Sequence, residues 1–358
     1  MIYDFSDIDA MPLLKSIEAY LIKADEELAD ALEEGGFLDA AETVEEMSVI
    51  EEMIAQALLF ESERLFAALE ECENLAHFAQ NRWPHLKETD NCDDEIGKQF
   101  FVELMLVLPS LVYRYMAEID PELANTKPIE KAFGSEQAAA HISNHTVLWA
   151  ADWSSELADI MKLNTHNLIE TQLSHHLANG KSIEEFTQFL MDSGIRDEYF
   201  RARRVAQTEM LAAHSVAQQE AYTQSPAVEM KMWRHTGAHK NEPRPNHMAM
   251  SGTTVPKNEP FRLVGADGGV YSPMYPRDSY LPPGERINCK CITQPVVSDE
   301  ALGMSLEERQ ELQDRAIMDS GGYWEMDAHG NDRWVPPAWE KELRDRLRLE
   351  AESSAATR

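Results

Sequence analysis

The chain has 358 residues, 43% of them hydrophobic, with a formal net charge of −32. This length predicts one large or two to three modest domains with a sizeable core, and the charge opposes broad binding to nucleic-acid phosphates. Four cysteines, Cys72, Cys92, Cys289 and Cys291, are too few for a disulfide scaffold of this size.

Further exclusions follow from local pattern. No run of about eighteen apolar residues predicts a membrane span. The acidic start MIYDFSDIDAMPLL lacks the basic, apolar pattern of a secretory signal. Folding in a reducing cytoplasm is therefore expected. The charge is uneven: residues 1–100 hold 26 acidic and 6 basic side chains, and residues 198–300 hold 11 and 12. The acidic front reads as a solvated helical surface, or as one that docks a basic partner.

Residues 12–34 place Leu13, Leu14, Ile17, Tyr20, Leu21, Leu28 and Leu32 at helical spacing. Gly35-Gly36 breaks the pattern, which resumes over 37–80. This predicts a helical hairpin over 12–80, with Cys72 as a buried thiol in its second helix. Residues 81–97 contain Pro84 and Cys92 and read as a connection. Residues 98–119 read as a helix bent or broken near Pro109. A second connection is expected around Asp120–Lys127, then helical pattern from Ile129 to Ala178. Asn179-Gly180 ends it, and Ser182 with Glu185 forms a capping box for the next helix, closed by Gly194. A further helix is expected over 197–224.

Around Pro226 the pattern changes. EMKMWRHT, TTVP, FRLVG, GVYSP and CITQPVV are short strand-like pieces separated by Gly and Pro turns. After Ser298, SLEERQELQDRAIMDS reads as a polar helix. The tail carries Trp324, Trp334 and Trp339 among turn residues, before a charged helix. The expected fold is α+β. A mainly α-helical N-terminal region (1–178, with the hairpin 12–80 and helices over 98–178) precedes a small α+β module with long Pro/Gly-rich loops (179–297). A helical, Trp-containing tail follows (298–358).

His235, His239, His247, Cys289 and Cys291 are the densest set of metal-ligating residue types. Zinc takes about four such donors, and His247, Cys289 and Cys291 are the best candidates. The Cys-x-Cys spacing is unusual for zinc, so the alternative is polar loop histidines and small packing cysteines with no cofactor. Residues two apart on a strand lie roughly 6.5–7 Å apart, at the edge of disulfide reach. A nuclease site is disfavoured, because Gly252, Pro256 and Pro260 forbid a long helix after His247. No phosphate loop, nucleophile elbow or H-E-x-x-H is present. Arg201, Arg203 and Arg204 form the densest basic cluster, a candidate phosphate contact.

Several blocks in fixed order carry a resemblance. Arg203 or Arg204 leads into Ala206, Thr208 and Glu209. Trp233 and Thr236 follow, then Arg244, His247, Gly252, Val255 and Pro260-Phe261. Pro276, Pro283, Gly284 and Ile287-Asn288-Cys289-Lys290-Cys291 close the series. Over about residues 180–297 the chain resembles the phage head-morphogenesis family, minor capsid proteins similar to phage Mu protein F. It departs from that pattern at Pro245 and Asn246, where a second Arg is lost, and at Lys290, which replaces an Arg; Glu242, with Pro243 between, stands where the family often has an acidic residue two before Arg244.

The resemblance implies a non-enzymatic virion protein of the phage head, assembled in the host cytoplasm. Portal, scaffold or capsid proteins are the implied partners, with weak DNA contact through Arg201, Arg203, Arg204 and Arg244, and no membrane. The alternative is a metal-dependent nucleic-acid enzyme, or a DNA-binding module, using the His/Cys cluster. Ile287–Cys291 is read as the module's closing strand. It would place Cys289 and Cys291 on one face against the Arg244–His247 loop.

Overall fold

The structure, a computed structural model, describes residues 11–88, 92–126, 142–192, 198–236, 243–319, 323–326 and 332–335. The fold is α+β, a mainly helical region followed by a small antiparallel module.

Helices α1 (Met11–Gly35) and α2 (Ala40–Glu70) form the expected hairpin. Gly36 adopts φ +85°, a left-handed conformation that costs glycine little. The Phe37 N–H donates to Leu32 O (3.0 Å) and the Gly36 N–H to Glu33 O (2.9 Å), satisfying carbonyls the helix end leaves free. The second helix stops at Glu70 rather than near 80. Asn74 accepts the His77 N–H (2.9 Å) and starts a new helical turn, Leu75–His77. Cys72 therefore lies in the turn after α2, a buried free thiol packed with Leu69, Leu75 and Phe78.

The connection expected over 81–97 is partly helical. A π-turn, Phe78–Arg82, leads into Trp83–Glu88. Pro84 is the second residue of that helix, directly after the wider π-turn. Helix α3 (Cys92–Ile119) runs unbroken through Pro109. An internal proline costs about 3 kcal/mol, but its neighbours Leu108, Leu111 and Val112 are buried where α3 packs on α2 and two later helices. That burial offsets the lost bond. By length and composition alone, Ile96–Ile119 could cross a membrane, contrary to the expectation of no such run. Half of its apolar window is buried, as in the core helix of a bundle.

A helical turn, Pro121–Ala124, replaces the connection expected after Ile119. Asp120 caps it by accepting the Leu123 N–H (3.0 Å). Helix α4 (Asn144–Ala178) follows a Ser143 cap and ends at Asn179 and Gly180, the latter at φ +61°. The part of the helical pattern before Ile142 lies outside the described residues. The capping box forms before α5 (Ile183–Asp192): the Ser182 N–H donates to Glu185 (2.9 Å) and the Glu185 N–H to Ser182 Oγ (3.2 Å). Gly194 lies outside the described residues.

Helix α6 (Glu198–Gln224) is the axis of the molecule. It packs on α2, α3, α4 and the sheet, and from Thr208 to Gln218 every residue is buried. Alanines at 202, 206, 212, 213, 217 and 221 let neighbouring backbones approach closely. Its buried polar side chains are satisfied, as burial demands. Glu220 accepts the Ser143 N–H (2.9 Å), Ser143 Oγ (2.8 Å), Thr146 Oγ1 (2.7 Å) and Gln224 Nε2 (2.8 Å).

The strand pieces form as expected. β1 (Val228–Arg234) is central between β2 (Thr254–Pro256) and β5 (Ile292–Val297), all antiparallel. β3 (Leu263–Val264) pairs with β4 (Val270–Tyr271). Two short helices, α7 (Pro245–Met250) and α8 (Pro283–Arg286), sit in the loops.

Ile287–Cys291 is not a strand. Asn288 has φ +59° and the Cys289 N–H bonds back to Arg286 O (3.1 Å), so the segment turns and β5 starts only at Ile292. Helix α9 (Leu306–Asp319) follows as expected. In the tail, β6 (Tyr323–Met326) and β7 (Asp332–Val335) pair with Trp324 opposite Trp334, antiparallel strands in place of turn residues; their aromatic residues suit strands. Trp339 and the expected terminal helix lie outside the described residues.

Candidate functional site

Three sequence-predicted residues meet. His247 is on α7, whose first turn is shaped by Pro245. Cys289 and Cys291 come from the turn before β5. His247 Nδ1 lies 3.5 Å from Cys289 Sγ and 3.7 Å from Cys291 Sγ. Their ligand atoms all lie within 4.8 Å of one another, and the residues are 2%, 3% and 3% exposed. Half-buried His235, just past β1, places Nδ1 3.7 Å from Cys291 Sγ. His239 and Glu242 lie outside the described residues.

The supporting groups escaped sequence reasoning. His247 Nε2 is 2.8 Å from Glu285 Oε2. The same carboxylate accepts Asn246 Nδ2 (3.0 Å) and, through Oε1, the Ala266 N–H (2.7 Å). Burial pushes the Glu285 carboxyl up, but the Ala266 N–H, Asn246 and His247 together outweigh it and hold it below the ordinary range. Burial alone would depress His247; Cys289 and Glu285 instead raise it. The Cys289 thiol is drawn well below its ordinary range by the Cys291 S–H, with His247 and Arg277 helping.

Arg277 shapes the turn from beneath. It is fully buried at φ +67°. Its Nη1 donates to Cys289 O (2.8 Å) and Cys291 O (2.7 Å), its Nε to Leu211 O (2.8 Å), and its Nη2 to Ser215 Oγ. A rigid fork of five donors suits such a task. One side chain thus fixes both cysteine backbones against α6. The only sequence signal for it was an Arg inside an otherwise Pro- and Tyr-rich loop.

The other motif residues hold the module together. Trp233 is fully buried, edge-on to His247 (5.7 Å) and Phe261 (5.3 Å). Its indole nitrogen makes no hydrogen bond of good geometry; the neighbouring Cys291 thiol is held well above its ordinary range, by Cys289 first and then by burial. The Gly252 N–H donates to Trp233 O (2.8 Å) from φ +88°. Thr208 Oγ1 donates to Arg204 O (2.8 Å). Glu209 accepts Trp153 Nε1 (2.7 Å) and pairs with Arg286 (3.2 Å).

The basic residues are not gathered into one patch by contact. Arg203 pairs with Asp25 and with Glu51 (3.3 Å), between α6, α1 and α2. Arg244 Nη2 donates to Ile287 O (2.6 Å), beside the cysteine turn. Arg204 is partnered too. The Arg201 side chain lies outside the described residues.

Residues 167–294 match the family model described as "Phage Mu protein F like protein". The uncharacterized protein YqbB of Bacillus subtilis (strain 168) is 46% identical over 172 residues, 48% of this chain and 55% of the relative. The chain thus spans about half the length of that relative. No solved structure matches. The matched segment runs from the middle of α4 into β5 and contains the whole His247–Glu285–Cys289–Cys291 constellation. Over residues 167–294 this chain is thus similar to the Phage Mu protein F-like family.

Proposed function

We propose that the chain is a structural head-morphogenesis protein of a tailed phage, a minor capsid component rather than an enzyme. In this reading it acts near the portal during procapsid assembly in the host cytoplasm and remains in the virion. The observation that carries the reading is the family match over 167–294. The chemistry of the module is compatible with it. Buried polar residues of the matched segment are spent on internal bonds: Glu209 on Trp153 and Arg286, and Arg277 on four acceptors. A site that turns over a polynucleotide needs a reachable nucleophile or an open metal position, and His247, Cys289 and Cys291 are buried.

The helical front supplies a docking surface in this reading. It carries most of the chain's negative charge, which disfavours adhesion to packaged DNA and favours a basic partner. Exposed Leu59 and Phe60 of α2, and Val102 and Leu106 of α3, add apolar contact. Portal, scaffold or capsid proteins are the proposed partners. Chemical crosslinking within purified procapsids, read by mass spectrometry, tests this. Crosslinks from α2 or α3 to portal or scaffold peptides are expected. Absence of the chain from particles at every assembly stage would refute the assignment.

A further inference from the structure

The module of residues 228–297 has a thin core of its own. Its buried apolar cluster, among the described residues, is Trp233, Met250, Phe261, Leu263, Leu281 and the two cysteines. The β3–β4 ladder has two residues per strand. Small loop-rich units of this kind commonly rely on a disulfide or metal staple.

We propose that His247 Nδ1, Cys289 Sγ and Cys291 Sγ hold a structural zinc ion, and that His235, whose Nδ1 lies 3.7 Å from Cys291 Sγ but outside the cluster of three, moves in to complete it. Four observations carry the assignment. The first is spacing. Zinc bonds of about 2.3 Å to sulfur and about 2.0 Å to nitrogen, at tetrahedral angles, place nitrogen and sulfur about 3.5 Å apart. The His247–Cys289 separation is 3.5 Å, and the His247–Cys291 and His235–Cys291 separations are 3.7 Å. The second is orientation. Glu285 takes the Nε2 side of His247 at 2.8 Å, so the Nδ1 lone pair faces the sulfurs. A carboxylate on the far nitrogen is the usual support of a zinc-bound histidine.

The third observation is convergence. Two thiol sulfurs meet one imidazole Nδ1, all three ligand atoms within 4.8 Å of one another, and a metal ion would use both sulfurs, displacing their two protons into solvent. The fourth is charge. Zinc with two thiolates is neutral, and the charges of Arg277 and Glu285, both buried, offset one another across the site. Burial of the three ligands closes the centre to substrate, which makes it structural rather than catalytic. The ion ties α7 and the end of β1 to the turn before β5. The inference stands independently of the role proposed in the phage head.

The test uses the full chain purified without chelator, with metal content measured by plasma mass spectrometry. About one zinc per chain is expected, falling to background in the C289S/C291S double variant and in His247→Ala. Cobalt(II) in place of zinc should give a thiolate charge-transfer band and the intense visible bands of a tetrahedral site. Glu285→Gln, which keeps the three ligands, should remain folded and bind zinc 10- to 100-fold more weakly against a chromophoric chelator; this readout separates metal loss from misfolding of the cysteine variants. A folded chain that takes up neither zinc nor cobalt under reducing conditions overturns the proposal, leaving two hydrogen-bonded thiols. Bound zinc unchanged in C289S/C291S also overturns it. Unchanged affinity in His235→Ala overturns the assignment of the fourth ligand.

Discussion

Glu209 of α6 and Arg286 of α8 form an ion pair at 3.2 Å with both side chains buried. Trp153 of α4 completes it. Its indole nitrogen donates to Glu209 (2.7 Å) and its ring lies 4.0 Å from the guanidinium carbon. Burial outweighs Arg286 and holds the Glu209 carboxyl above its ordinary range. Removing one partner strands the other. Arg286→Met is expected to cost about 3–5 kcal/mol, and the double change with Glu209→Leu clearly less. Urea unfolding midpoints of the two variants check this, and equal losses would count against it.

Arg277 supplies a second prediction. Arg277→Lys keeps the charge but replaces a planar fork by one ammonium that cannot reach Leu211, Ser215 and both cysteine carbonyls at once. Each buried acceptor left alone costs about 1–3 kcal/mol. The lysine variant is expected to be nearly as unstable as Arg277→Met. Faster amide exchange at Cys289–Ile292 than across α3 would locate the damage; exchange that rises uniformly would argue that the turn is not what Arg277 holds.

His214 predicts the response to acid. It is fully buried, its ring nitrogens 2.9 Å from Thr43 Oγ1 and 2.8 Å from Tyr115 Oη. Burial, with Arg277 and Arg114 nearby, pushes its pKa from 6.5 down to about 3. The unfolded chain therefore binds the proton more readily between these values. Its neutral-ring stability is complete above about pH 6.5 and is lost as pH falls toward about 3, on the order of 5 kcal/mol in all. His214→Gln should flatten that part of the stability–pH curve. An identical slope in the variant would assign the acid sensitivity to carboxylates.

DNA contact, if the basic residues supply it, must be weak. Arg203 is already paired with Asp25 and Glu51. Two to four phosphate contacts lose about 10- to 150-fold in affinity between 50 and 200 mM salt. A gel-shift titration at both salt levels should show such a drop. Charge reversal at Arg203 is expected to lower thermal stability more than DNA affinity. Tight binding insensitive to salt would sink this picture.

Local signals were read well from sequence. The Gly35-Gly36 break, the Ser182–Glu185 capping box and the short strands all depend on neighbours within a few residues. His247, Cys289 and Cys291 were legible because their side-chain types are scarce and ligand-like. What sequence hid was long-range. Glu285 reaches His247 across 38 residues and Arg277 reaches Leu211 across 66, with no local trace. Ile287–Cys291 shows a two-residue alternation that imitates a strand, but Arg277 binds the carbonyls of Cys289 and Cys291 and Asn288 turns left-handed. Pro109 misled for the same reason: tertiary packing on α3 overrode a local penalty.

Helix α6 has a practical consequence for anyone dissecting this chain. It lies wholly inside the family-matched stretch, yet its most extensive packing is on α2 and α3, far upstream. A fragment cut at residue 167 would carry α6 with Leu211, Ala213, Val216 and Ala217 stripped of those two covers. Such a fragment would be sticky, so its precipitation would reflect where the cut was made. Any interaction measured on it would report that bare flank as much as the module's own surface.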